Sequence, residues 1–403
     1  MPYFPKFSRR LLILLIAQAV AGASVPVLFL ISGLLGPKLS PTLKLSTLPM
    51  SLVVIGVALT SPLASWTMSK LGRKEGHIAG LFFTLLGVAT AGLGLSGPSF
   101  LVYSAGCFIT GAGSAFNNQI RFTAAEAAGD QKALVHSWVL MFSLFAAILG
   151  PWMVSHGHLM LPQGEYTGSI VMLFTALSAI FVLLFALPKS SPHLNASKRS
   201  GGQSKAQIFR QAKFWIGALC GLSSFATMTL LMSATPLQMH EMEHFSSSET
   251  TMTLQSHIVA MYLPSLFSGL LLSWLGIRRL IGLGASLFLI CIGLAYSSTS
   301  FHHYWWALVI LGIGWNFLFL AGSTWISQSF SGPDAFVAQG ANDTLVYGTQ
   351  SIASLAAGWL LFEVGWKTLV LIPVPLLLGL LFFVFGRERE VSLKKLESRR
   401  ASS

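Results

Sequence analysis

The chain is 403 residues long, 53% hydrophobic and only 9% charged, with 25 Lys and Arg against 13 Asp and Glu. A soluble protein of this size carries about 25% charged residues, so a water-facing globular enzyme is excluded; 29 Phe and 11 Trp exclude disorder as well. The net charge of +12 does not point to nucleic acid, because the basic residues sit in short runs between apolar stretches, where they report membrane orientation.

A helix needs about 20 apolar residues to cross the hydrocarbon core. In chain order the sequence offers runs near 11–36, 47–68, 77–95, 99–121, 134–156 and 168–187, then near 214–236, 251–275, 280–298, 303–326, 339–362 and 367–386. None alternates apolar and polar residues as a lipid-facing barrel strand does. The first run lacks a small-residue cleavage site at its end and reads as a retained span rather than a signal peptide. The longest break, Lys189–Gln211, is rich in Ser, Gly and Lys and reads as a flexible linker. The expected organisation is a six-helix bundle over 1–188, a cytoplasmic linker over 189–211, a second six-helix bundle over 212–386 and a cytoplasmic tail over 387–403. With a cytoplasmic N-terminus, 22 of the 25 Lys and Arg fall on the cytoplasmic side, leaving Lys38, Lys44 and Lys367 outside. That positive-inside bias predicts that both termini are cytoplasmic. Cys107, Cys220 and Cys291 lie within apolar runs and have neither disulfide nor zinc spacing. No cofactor is implied.

The two halves echo each other. Gly111-Ala-Gly113-Ser-Ala-Phe116 in the fourth span matches Gly312-Ile-Gly314-Trp-Asn-Phe317 in the tenth, and Ser69-Lys70-Leu71-Gly72-Arg73-Lys74 matches Ser273-Trp274-Leu275-Gly276-Ile277-Arg278. Two matches in order at nearly one offset indicate a duplicated six-span unit, a common build of secondary transporters. With the basic linker and the length, this layout resembles the major facilitator superfamily over nearly the whole chain. The loop pattern of that family, G-x-L-A-D-R-x-G-R-R, reads here Ser65-Trp-Thr-Met-Ser69-Lys70-Leu-Gly72-Arg73-Lys74, with Ser at the usual Gly and Asp. The resemblance implies twelve transmembrane helices in two pseudo-symmetric bundles. It also implies a cytoplasmic gate of Gly72, Arg73 and Lys74 with Glu126 at the end of the fourth span, the share of the eleventh span being open because Ser69 replaces Asp. The antiporter pattern G-x-x-x-G-P-x-x-G-G keeps only Gly150-Pro151 of its core here, between Ala146 and Val154, which reads equally as a Pro-kinked span packed through small residues. Cys107 stands where such antiporters often carry Arg.

Polar groups at membrane depth face a bundle interior or a cavity. Trp315 and Asn316 lead the candidates for a central site, with Asn117, Gln18, Tyr262, Tyr347 and Gln350; interhelical hydrogen bonding is the plainer alternative for each. Asp343 and His257 are the candidates for coupling to a proton or cation, and Asp343 serves equally as a gate partner for Arg121. No central Arg or Lys is expected, which disfavours a highly charged cargo. His240-Glu241-x-x-His244 has the form of a zinc-protease motif, yet a third ligand is missing from the nearby sequence. The histidines of that loop, with His156, His158, Met160, His302 and His303, suit a metal or metal chelate instead.

The sequence therefore predicts a secondary active or facilitative transporter of a small organic solute or drug-like metabolite, working by alternating access. A metal or chelate transporter is the alternative and an intramembrane zinc protease the remoter one. The expected setting is the bacterial inner membrane, with lipid around a monomer, a small-molecule substrate, a possible coupling proton or cation and no nucleic acid.

Overall fold

The computed structural model describes residues 8–41, 45, 48–128, 131–161, 166–187 and 204–386. Its first six crossings are α1 (Arg9–Gly22, continued by Ser24–Leu39), α2 (Leu48–Leu71), α3 (Arg73–Ser96), α4 (Phe100–Asn117), α5 (Lys132–His156) and α6 (Thr167–Leu184). The other six begin with α7 (Ala212–Leu237), α8 (Ser247–Tyr262 and Ser265–Leu275), α9 (Ile277–Ser297) and α10 (Phe301–Ser329). The stretch Gly332–Leu371 is broken at Gly365, whose φ of 79° only glycine adopts without strain. It therefore holds two crossings, α11 (332–364) and α12 (366–386), the latter running on to the end of the described residues.

Among the described residues nine helical stretches are long and apolar enough to cross a membrane, or ten with the bent pair of α8. Two things separate that number from the twelve expected. The stretch Gly332–Gly386 holds both α11 and α12. α4 is diluted by Gly, Ser and Thr, because it runs between α2 and α3 where larger side chains do not fit. A Cβ at Gly111 would lie 2.0 Å from the carbonyl oxygen of Val53 on α2, and one at Gly113 would lie 2.5 Å from the amide of Thr84 on α3.

The second half repeats this arrangement. A Cβ at Gly312 would meet the carbonyl of His257 on α8 at 2.7 Å, and one at Gly314 would meet Gly284 and Phe288 on α9 at 3.0–3.1 Å. The paired Gly-x-Gly matches of the sequence are thus the same packing device used twice. The paired turns agree also: Gly72 (φ 105°) precedes α3 and Gly276 (φ 77°) precedes α9.

Helix starts follow ordinary capping chemistry. Ser8 accepts a hydrogen bond from the Leu11 amide at 3.2 Å. Ser246 and Glu249 form a reciprocal capping box at the start of α8, and these bonds from Ser246 hold the exposed Glu249 carboxyl below its ordinary value. In α5, Gly150 and Pro151 act as the plainer reading has it: a Cβ at Gly150 would lie 2.9 Å from Pro26 of α1. The linker differs from expectation at its end. Residues 189–203 lie outside the described residues, but Lys205–Arg210 is a short helix with its own capping box from Ser204 and Gln207. The tail, 387–403, lies outside them too.

One core gathers α1 and α3–α6 around Leu14, Leu28, Leu81, Tyr103 and Leu173. A second gathers α7–α12 and takes in Met68, Phe116 and Leu140 from the first half. The halves meet along two seams toward the side that bears Arg9, Arg73 and Arg278, called the basic side below. At one seam a Cβ on Gly340 of α11 would lie 2.7 Å from Cβ of Ser65 on α2. At the other, Ser137 of α5 donates to the carbonyl of Ser265 and accepts from the amide of Gly269 at 3.1 Å, both on α8.

Candidate functional site

A cavity of about 280 Å³ lies between the halves. α1 contributes Gln18, Pro26 and Phe29, α2 contributes Val53 and Val57, and α5 contributes Leu140 and Ser143. The opposite wall is aromatic. Trp315 stacks on Phe319 with ring centroids 5.0 Å apart and meets Tyr262 and Phe225 edge-on at 5.6 and 5.3 Å. Such contacts add roughly 0.5–1.5 kcal/mol each beyond the area they bury, so this wall is held as one unit.

The expected central residues divide. Trp315, Asn117, Gln18, Tyr262, Tyr347 and Gln350 all line the cavity. Gln18 donates to Ser143 at 3.0 Å and Asn117 to Thr84 at 3.3 Å, while Tyr262 and Gln350 have no hydrogen-bond partner among the described residues. Asn316 does not line it. It is fully buried on the far face of α10, where its amide donates to the Met261 carbonyl at 2.7 Å and to Ser265 Oγ at 2.6 Å. These are the two sides of the break in α8, so Asn316 ties a broken helix together by satisfying a carbonyl that the break has freed. His257 does not face the cavity either; its Nδ1 bonds the Leu308 carbonyl at 2.8 Å between α8 and α10.

Beneath the cavity the basic side is closed by two ionic layers. In the outer layer Arg73 pairs with Glu126, as the resemblance implies, and also donates to Gln339 at 2.6 Å and to Gln119 at 3.3 Å. Its guanidinium lies 4.3 Å over the ring of Phe336. Gln339 and Phe336 belong to α11, so the first turns of that helix enter the gate without the missing Asp. Ser69, in its place, donates to the carbonyl of Trp66 at 2.7 Å. The Lys74 ammonium donates to the carbonyls of Phe185 and Leu187 at 2.7 and 2.6 Å, closing the end of α6.

The inner layer is Arg121 with Asp343, which also accepts from Gln119 at 2.7 Å and Asn342 at 3.0 Å. Asp343 is fully buried and spoken for. Its observed contact is therefore the gate partnership rather than a free carboxyl in the cavity. Arg121, contrary to the expectation that no central Arg exists, reaches the cavity floor. His136 of α5 adds another tie, bonding Thr324 of α10 at 3.0 Å, and Lys132 donates to the Ser327 carbonyl at 3.1 Å. Gln119, Gln339, Asn342 and His136 were not among the expected gate residues. Gln119 does lie in the polar run Asn117–Arg121, and that run was the signal.

The histidine loop gathers no ligand set. Gln238–Met242 is a π-helical turn rather than an α-helix, His240 Nδ1 bonds the Phe245 carbonyl at 3.0 Å, and His244 has φ 56° beyond the turn. Among the described residues no group of three or more His, Cys, Asp or Glu is placed to hold a metal ion.

The model of the Major Facilitator Superfamily matches residues 11–348. The chain belongs to that superfamily. It is accordingly a transmembrane transporter working by alternating access and not an enzyme. Among superfamily relatives, a riboflavin transporter of Brucella anthropi is 34% identical over 385 residues, covering 92% of this chain and 96% of its own. An uncharacterized transporter of Bacillus subtilis, YddS, is 27% identical over 80% of this chain and 78% of its own. The fold is shared with the fucose:proton symporter of E. coli at a TM-score of 0.74, with 17% identity over 94% of this chain and 99% of that one. It is shared too with a bacterial homologue of the iron transporter ferroportin, at 0.73 with 15% identity over the same shares.

Proposed function

We propose that this superfamily member carries riboflavin, or an uncharged metabolite built on a similar flat heterocycle, across the bacterial inner membrane. The observation that carries the reading is the Trp315–Phe319 stack with Tyr262 and Phe225 at its edges, facing Gln18, Asn117 and Gln350. An aromatic wall suits a tricyclic ring, and a few convergent amides and hydroxyls suit its carbonyls and a polyhydroxyl side chain. The full-length similarity to a riboflavin transporter supports the same cargo. A metal cargo has no comparable support: among the described residues no group of three or more His, Cys, Asp or Glu is placed to hold an ion, and none of those residue types is among the residues lining this cavity.

Orientation is part of the proposal. The bias of 22 among 25 basic residues supports cytoplasmic termini, which makes the structure the state closed to the cytoplasm. The cavity is built from both halves of one chain, which supports a monomer in lipid as the transport unit. Asp343, held by Arg121 at the cavity floor, is the carboxylate that a coupling proton would meet on opening.

Counterflow in proteoliposomes tests the cargo without assuming a direction. Labelled riboflavin exchanges into vesicles preloaded with riboflavin, and Trp315→Ala lowers the exchange at least tenfold; because Trp315 is buried the variant also melts lower, so exchange is compared well below both melting transitions. Its phosphate ester exchanges poorly, because the one cation among the described residues of the lining, Arg121, is already paired with Asp343. No riboflavin exchange alongside brisk exchange of an unrelated neutral solute overturns the cargo.

A further inference from the structure

Arg121 belongs to the first half, yet its guanidinium is buried against the second. It pairs with Asp343 of α11 and lies 4.7 Å over the ring of Phe319 on α10. The guanidinium also lies 4.6 Å over the ring of Phe122, its own neighbour. Phe319 is engaged all round. It takes the guanidinium, it stacks on Trp315 at 5.0 Å with 24° between the planes, and it meets Phe225 edge-on at 5.1 Å. Phe319, Trp315, Phe225 and Arg121 all line the cavity. One ring therefore forms part of the wall a cargo touches and part of the seat of the cation that latches the halves. Because three neighbours hold this ring, a shift of a few tenths of an ångström away from any one of them weakens that contact.

We propose that Phe319 is the positioning residue that couples cargo occupancy to the gate. A flat cargo that packs against the Trp315–Phe319 pair draws Phe319 away from the Arg121 guanidinium. Arg121 then loses its cation–π seat and holds Asp343 less well. The loaded carrier opens its basic side more readily than the empty one. Reciprocity follows: whatever loosens the latch strengthens binding of a cargo that prefers the loosened form. The empty-protein half of this inference stands on the gate geometry alone, and the cargo half rests on the flavin reading above.

The test reads the distance between spin labels at Ala127→Cys, after α4, and Ser273→Cys, at the end of α8. Both positions are exposed on the basic side, and the three native cysteines are buried. In the wild-type background riboflavin increases the long-distance, basic-side-open population. In Phe319→Leu the empty protein is already severalfold more open, as expected for loss of a desolvated cation–π contact. Riboflavin, whose binding is followed by quenching of its fluorescence, binds more weakly, and at saturating concentration it no longer changes the distribution. Phe319→Tyr, which keeps the ring, restores the response. If the variant with Leu does not give a cooperative melt, Phe319→Met carries the same comparison.

An empty Phe319→Leu protein with the wild-type distribution overturns the inference, and so does a riboflavin response that survives the substitution. If riboflavin fails to bind the wild type, the cargo reading falls. The empty-protein comparison then still decides whether Phe319 seats the latch.

Discussion

Asp343 is fully buried, and the Arg121 side chain is 7% exposed. Removing one member of such a pair leaves the other as an uncompensated buried charge, at a cost of about 3–5 kcal/mol. That cost falls only on the closed state, because opening the basic side hydrates the survivor. Asp343→Leu and Arg121→Met should therefore each raise the ratio of open to closed carrier by about two to four powers of ten. The double variant should behave differently. Replacing both charges with apolar groups of similar size is often close to neutral, so it should return most of the way to the wild-type distribution, with a coupling energy of about 2 kcal/mol or more between the two sites. The spin-label pair at Ala127→Cys and Ser273→Cys measures all four populations, and melting curves separate gating from unfolding. Additive shifts, with the double variant the most open of the set, would refute the assignment of Arg121–Asp343 as the inner latch.

Three further outcomes follow from contacts described above. Asn316→Leu leaves the Met261 carbonyl without its donor and should lower stability by about 1–3 kcal/mol, read as a drop in melting temperature with cargo affinity little changed. Gly340→Val drives a side chain into Ser65 and should disfavour the closed state by about 1–3 kcal/mol, visible as a longer mean distance in the same spin-label pair. Glu249→Gln keeps the capping box of α8 but removes its charge. Because the Glu249 carboxyl is held below its ordinary value by Ser246, the wild type should melt slightly higher at neutral pH, and that advantage should vanish as the pH falls through the depressed value.

Hydropathy alone made the crossings legible, and the two sequence echoes proved to be a repeated close approach at Gly111/Gly113 and Gly312/Gly314 and a repeated turn at Gly72 and Gly276. The Arg73–Glu126 pair was legible too, because both residues sit in a recognisable local pattern. Its partners on α11 were not. Gln339 and Asp343 meet Arg73, Gln119 and Arg121 across more than 200 residues of sequence, and amides carry no pattern that announces such a meeting. Asn316 was misplaced for a different reason. Polarity near the middle of a span reads as a cavity residue unless a neighbouring helix is known to break, and the break in α8 leaves only Pro264 as its trace. Arg121 was expected only as a gate residue, with no Arg at the central site. The helix α4 is interrupted at Asn118–Gln119, and the residues that follow restart in a new phase that brings Arg121 to the floor.

The 45° bend in α8 changes what has to travel when the basic side opens. Its far portion is fastened within its own half, by Trp305 to Ser256 at 2.9 Å and by His257 to Leu308. The portion Ser265–Leu275 instead leans on α5 of the opposite half through Ser137. The break at Pro264, bridged by Asn316, is where this 11-residue arm would pivot while the body behind it stays still. The carrier then has a light door on one flank and a heavy wall, the long α2–α11 seam, on the other, so the two flanks need not part at the same instant or at the same rate.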